Sequence, residues 1–209
     1  MRVLVFTGMP GSGKSEALSV LRALGVPVYR MGDEIWDEVR ARGLPLTPKH
    51  VGEVANAMRK EQGEDVWARR TLQRLADNRA TAAEAARRAG AGDPREPPLV
   101  AIDGTRSLAE VGAFRRALGE QLLVVAVHAS IKERHDRLVH RGRADDGASP
   151  ALAQERDHRE LGWGLGEAIA LADLHLANHG SLEEFHQRVR TLVEGFLQGG
   201  ASPSPADAP

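Results

Sequence analysis

The chain has 209 residues, with 28 Lys and Arg against 29 Asp and Glu and a formal net charge of -1. That length supports one well-buried core and one domain, and the even charge balance leaves no global footprint for DNA, RNA or an acidic membrane. The lack of cysteine excludes disulfides, thiolate metal sites, iron–sulfur clusters and cysteine nucleophiles.

In chain order, "MRVLVFTG" carries an apolar run too short for a signal-peptide core or a membrane span, and it reads directly into a strand, Val3 to Thr7. A soluble, cytoplasmic protein is expected. After a glycine-rich turn, "KSEALSVLRALG" is a helix with Ala17, Leu18, Leu21 and Leu24 at helical spacing and Gly25 as its stop. "VPVYRM" is a second strand, and "DEIWDEVRARG" a helix with Asp33 near its N-cap and Gly43 at its end. Thr47 caps a further helix with Pro48 in its first turn. A long Ala- and Arg-rich helical segment follows from Asp65 to about Ala89, with a break expected near Asn78. Residues 32–92 show almost no strand signal and read as a helical insertion over one end of a sheet.

Beyond the connector "GAGDPREPP", the run "LVAID" (Leu99 to Asp103) is a third strand, followed by "GTRS" and a helix from Leu108 to Leu118. "QLLVVAVHA" is the most strand-like run in the chain; "SIKERHDRLVHRG" is helical, "RADDGASP" a polar loop, and Ala151 to Leu161 another helix. "ADLHLANHG" suggests a last short strand, and Ser181 caps a terminal helix with Glu184 in the capping-box position. Strands alternating with helices define an α/β domain with a mainly parallel sheet covered on both faces. Residues 1–196 are expected to form this domain. Residues 197–209, ending in "GGASPSPADAP", are expected to be a disordered tail.

The chemistry begins at "GMPGSGKS", which matches G-x-x-x-x-G-K-S and assigns Gly8, Met9, Pro10, Gly11, Ser12, Gly13, Lys14 and Ser15 to a nucleotide triphosphate. The glycines let successive N–H groups point inward, Lys14 reaches the β and γ phosphates, and the Ser15 hydroxyl can join a Mg²⁺ shell. Asp103, at the end of an apolar strand, is the second candidate for Mg²⁺, although Asp-Gly is also a common turn pair. Arg106, three residues on, has the fork that suits phosphate oxygens. Lys132, Arg134, Arg137, Arg141 and Arg143, followed by Arg156 and Arg159, form either a solvated helical surface or a cationic lid over residues 131–160; the lid is favoured. The guanine-reading N-K-x-D pattern is absent, "ANHG" at Asn178 being the only remotely similar place, so ATP is the expected nucleotide. The eight histidines lack metal-ligand spacing.

The segments "TGMPGSGKS", "YRMGDEIWDEVRARG", "VAIDGTRSLAEVGAFR", "RLVHRGRADD", "QERDHREL" and "ALADLHLANHGSLEEF" cover nearly the whole chain to about Leu192. In order and spacing they resemble the adenylate-kinase-like and dephospho-coenzyme-A-kinase-like group of phosphate-loop kinases. The resemblance is strongest to a largely archaeal branch that lends no acceptor of its own. It implies five parallel strands in order 2-3-1-4-5, with an acceptor-binding helical region and a short lid. It also implies that Gly32 and Asp33 open the acceptor-binding helix and that Arg106 grips an acceptor phosphate. Arg137 and Arg141 would be donor-side arginines, and Arg156 and Arg159 a later pair spanning the phosphates. Trp36 stands where adenylate kinases place an acceptor-site arginine. Its indole either stacks on a base or belongs to the core with Ile35 and Val39, and Arg30, Arg40 or Arg59 could supply the missing charge.

The expected activity is transfer of a phosphoryl group from ATP, with Mg²⁺, to a small nucleotide-like acceptor, a nucleoside monophosphate or a dephospho-coenzyme-A-like molecule. Lys14, Asp103, Arg106, Arg137 and Arg141 would carry the reaction. The alternative is an ATP-binding regulatory protein with weak ATPase activity. A nucleic-acid partner is disfavoured by the charge balance, a membrane partner is not expected, and the oligomeric state is left open.

Overall fold

The structure, a computed structural model, describes residues 1–89, 97–141 and 149–199. Its elements are β1 (Arg2–Thr7), α1 (Lys14–Ala23), β2 (Val28–Arg30), α2 (Met31–Ala41), α3 (Pro48–Gln62), α4 (Val66–Arg88), β3 (Leu99–Asp103), α5 (Leu108–Leu118), β4 (Leu122–His128), α6 (Ile131–Arg141), α7 (Pro150–Gly162), α8 (Leu165–Ala170), β5 (Leu174–Ala177) and α9 (Leu182–Leu197). A 3-10 turn, Gly119–Gln121, precedes β4. The sheet is parallel throughout, in the order β2-β3-β1-β4-β5.

Alternation along β1 divides the core. Val3 and Val5 face one side of the sheet with Val100, Ile102 and Val124, under Met31, Val39, Met58, Trp67 and Phe114 of α2 to α5. Leu4 and Phe6 face the other side with Ala101, Leu123, Val125 and Val127, under Leu18 and Leu21 of α1 and Phe185, Val189 and Leu192 of α9. A strand buried on both faces must be apolar at every position, which is why "VLVF" shows no polar alternation.

The helix ends follow local chemistry. Thr47 and Ser107 accept hydrogen bonds from the backbone N–H groups of His50 and Glu110, and Ser181 and Glu184 complete a capping box. Three details differ from the sequence expectation. α2 starts at Met31 with Arg30 as its N-cap, so Asp33 lies inside the first turn, where its charge complements the helix dipole. α4 runs unbroken through Asn78, whose side chain donates to the Tyr29 hydroxyl at 3.3 Å; one Asn in an alanine-rich stretch costs too little propensity to stop a helix. α8 has no counterpart in the expected elements.

Residues 142–148 of the expected lid region, connector residues 90–96 and tail residues 200–209 lie outside the described residues, while α9 itself extends to Leu197. Among the described residues no helix is long and apolar enough to cross a membrane.

Trp67 is fully buried between α3 and α4, and its indole N–H donates to the Ala55 carbonyl at 3.4 Å. Trp67→Ala should therefore cost about 3–5 kcal/mol of stability, read as a lower midpoint in urea unfolding.

Candidate active site

Two requirements shape the loop between β1 and α1. Its N–H groups must converge on an anion, so its carbonyls point outward and need donors of their own. Each of the five carbonyls from Gly8 to Ser12 has one. Lys14 Nζ donates to the Gly8 carbonyl and, at 3.2 Å, to that of Met9. Arg134 reaches the Pro10 carbonyl at 3.0 Å, Arg137 the Gly11 carbonyl at 3.5 Å, and the Asn178 side-chain amide the Ser12 carbonyl at 2.8 Å. Arg137 also donates to the Asn178 backbone carbonyl at 3.1 Å, joining two of these braces.

The glycines are needed because the surrounding structure comes so close. Gly8 and Gly13 have φ of 142° and 109°. A Cβ on Gly8 would lie 2.4 Å from the Val127 carbonyl oxygen, and one on Gly13 would lie 1.9 Å from the Asn178 amide nitrogen. Gly13 is also the N-cap of α1 and offers no side-chain cap, so the first N–H groups of that helix remain available to a phosphate.

Behind the loop, Arg134 makes a two-pronged ion pair with Asp157 of α7, at 2.8 and 2.7 Å, and His135 Nε2 lies 3.0 Å from the same carboxylate. Burial alone would raise the Asp157 pKa; the hydrogen bonds from Arg134 and His135 outweigh it and hold the carboxyl below its ordinary value. α6 and α7 are thereby fixed to each other and to Pro10.

The loop opens into a cavity of about 540 Å³. It is lined by the loop residues Gly8 and Pro10 to Ser15, by Asp103 at the end of β3 and Arg106 beyond it, and by Arg137, Arg141, Arg156 and Glu160 from α6 and α7. Lys14, half-buried, is among its lining residues. Desolvation pushes its pKa down to about 8, against the fields of Asp103 and Glu160, which hold the proton on.

The structure thus gathers Lys14, Ser15, Asp103, Arg106, Arg137, Arg141 and Arg156 around one space. Met9 is outside the lining and takes part through its carbonyl. Gly32, Asp33, Trp36, Arg59 and Arg159 do not line it. Asp33 lies 3.6 Å from Arg30, whose guanidinium sits 5.1 Å over the Trp36 ring. Trp36 is 37% exposed, so the indole is a surface group rather than part of the core. Arg59 pairs at 3.6 Å with buried Glu110, and Arg159 is exposed on α7. Burial raises the Glu110 pKa against the Arg106 backbone N–H and the Arg59 charge.

Sequence reasoning passed over Glu160, Asn178, Glu110 and the Arg134–Asp157 pair. Glu160 follows Arg156 at i,i+4, a visible signal. Asp157 and Arg134 belong to separate helices, and nothing local ties them together.

A phosphate loop at the carboxyl edge of a parallel 2-3-1-4-5 sheet, with cationic helices beyond the fourth strand, defines the class as a P-loop NTPase of kinase-like fold. A family model described as "AAA domain" matches residues 7–150. The chain belongs to the UPF0200 family: it is 38% identical over 198 residues to a UPF0200 protein of Methanosarcina barkeri, covering 95% of this chain and 97% of that one. A UPF0200 protein of Hyperthermus butylicus is 40% identical over 198 residues, covering 95% and 96%. Among solved structures, TT1252 from Thermus thermophilus has a TM-score of 0.55 at 20% identity, covering 92% of this chain and 96% of its own. Shikimate kinase from Acinetobacter baumannii in complex with shikimate has a TM-score of 0.51 at 14% identity, covering 93% and 94%. At these identities the likeness is one of fold.

Gly13→Ala combines a strained φ with a collision against Asn178. At about 1–3 kcal/mol of strain, a nucleoside triphosphate should bind roughly tenfold to a hundredfold more weakly, measured by titration calorimetry. Lys14 sets a pH dependence. Its pKa in the free protein is about 8, and bound phosphates favour the charged form. Binding should therefore take up a proton, about half a proton per nucleotide at pH 8, and affinity should fall as pH rises through that value. Calorimetry in two buffers of different ionisation enthalpy measures the uptake.

Proposed function

We propose that this chain is an ATP-dependent phosphotransferase whose acceptor is a small nucleotide-like molecule, a nucleoside monophosphate or a dephospho-coenzyme-A-like compound. The observation that carries the proposal is the gathering of cations around one cavity: Lys14 and the phosphate loop share it with Arg106 beyond β3, Arg137 and Arg141 on α6 and Arg156 on α7. A phosphate loop alone suffices to hold a nucleotide; the additional arginines suit phosphoryl transfer, in which cations position the reacting groups and balance the charge of the transferring phosphoryl.

Lys14 and the N-terminus of α1 attract the donor phosphates, and Arg137 and Arg141 balance charge on the transferring group. Arg106 and Arg156 orient the acceptor. Among the described residues no cluster of three or more His, Asp or Glu could hold a metal ion. Ser15 and Asp103 nevertheless line the same cavity, a donor set suited to Mg²⁺, which needs few protein oxygens when phosphate and water supply the rest. Mg²⁺, when bound there, neutralises developing charge on the phosphates.

The test is a transfer assay with labelled ATP and Mg²⁺ against nucleoside monophosphates, dephospho-coenzyme A, nucleosides and DNA ends. A labelled product is expected from a small nucleotide-like acceptor. Lys14→Ala should lower kcat by about 10²–10³-fold, and Arg106→Ala should act mainly on the acceptor KM. ATP binding with no acceptor-dependent release of ADP would favour a regulatory ATP-binding protein instead. In that reading the Arg134–Asp157 brace between the loop and α7 would carry the signal.

A further inference from the structure

Phosphoryl transfer as described gives the cavity carboxylate Glu160 no contact with donor or acceptor. Glu160 projects from α7 into this space, yet it is only 4% exposed. Its Oε2 lies 3.5 Å from Arg106 Nε and its Oε1 lies 3.9 Å from Arg156 Nε. Charge-assisted hydrogen bonds are shorter, about 2.7–2.9 Å, so one singly charged group bridges two cations without closing tightly on either.

Arg106 is held independently of Glu160. Its backbone N–H donates to Glu110 at 2.7 Å, and its guanidinium lies 5.3 Å over the Trp163 ring. Together with Asp103, Glu160 supplies negative charge to a cavity that also holds Arg106, Arg156 and Lys14, and taking it away would leave those cations less well balanced.

We propose that Glu160 is a resident stand-in for the phosphate of the acceptor: it occupies the Arg106–Arg156 cradle until a phosphate monoester displaces it. This deepens the reading above, because it assigns Arg106 and Arg156 to an acceptor that carries a dianion. Two guanidiniums match a dianion in charge and geometry better than they match one carboxylate. A neutral acceptor offers nothing to replace Glu160 and is rejected; a monoanion gains little. Specificity comes from a group that the right ligand must push aside.

The experiment uses the full chain with its donor site filled by a non-hydrolysable ATP analogue and Mg²⁺, and it measures binding of labelled inorganic phosphate by equilibrium dialysis. If the carboxylate holds the cradle in about nine molecules of ten, apparent affinity is lowered about tenfold. Glu160→Gln, close to isosteric, should therefore bind phosphate about tenfold more tightly than the native chain. Glu160→Asp, with a shorter reach, should fall between the two. Arg156→Ala should lose the site, and acetate should compete only weakly. Thermal melts of each variant establish that it is folded. Unchanged, weaker or undetectable phosphate binding by folded Glu160→Gln overturns the proposal, as does acetate binding equal to that of phosphate. Failure of the phosphotransferase reading shows separately, as absence of acceptor-dependent transfer by the native chain, whatever the dialysis gives.

Discussion

The active region depends on how a loop that turns its N–H groups inward disposes of its carbonyls. Lys14, Arg134, Arg137 and Asn178 supply donors to the successive carbonyls from Gly8 to Ser12. These donors arise from α1, from α6 and from the segment after β5. The conformation of the loop is therefore a property of the assembled fold. Its glycines allow that conformation, and the distant donors select it. The close approaches at Gly8 and Gly13 are the steric record of this assembly.

The same arrangement accounts for the charge of the cavity. Arg134 is consumed by Asp157 and the Pro10 carbonyl, so it braces the loop and is not among the cavity-lining residues. Arg137 also braces the loop but does line the cavity, next to Arg141. Arginines that look alike in "KERHDRLVHR" thus divide their roles according to the helix face each occupies. Lys14 is desolvated enough for its pKa to fall to about 8, and the cavity carboxylates are what keep it charged.

Much of this was legible in the sequence, and the reasons differ by element. Strands buried on both faces announce themselves as apolar runs, and "LVAID" and "LLVVAVH" lie where the runs place them. Caps at Thr47 and Ser181 are local chemistry and were readable as such. The phosphate loop was readable because every residue of its motif has a local duty. The acceptor side was less legible. Asp33 and Trp36 share a promising helix, yet α2 directs them to a surface pair with Arg30, outside the cavity. Glu160 and Asp157 were hidden inside "QERDHREL" because their partners, Arg106 and Arg134, are brought to them only by the fold.

The brace at Asn178 has a consequence for how the chain comes into being. Its amide holds the Ser12 carbonyl, although 166 positions separate the two residues along the chain. During synthesis the glycine motif emerges first, and its last donor emerges only after α6, α7 and β5 have been made. An incomplete chain on the ribosome carries the motif in its sequence but lacks the donors that shape it. The donors that shape the loop are thus complete only once the polypeptide has been built through β5 to Asn178.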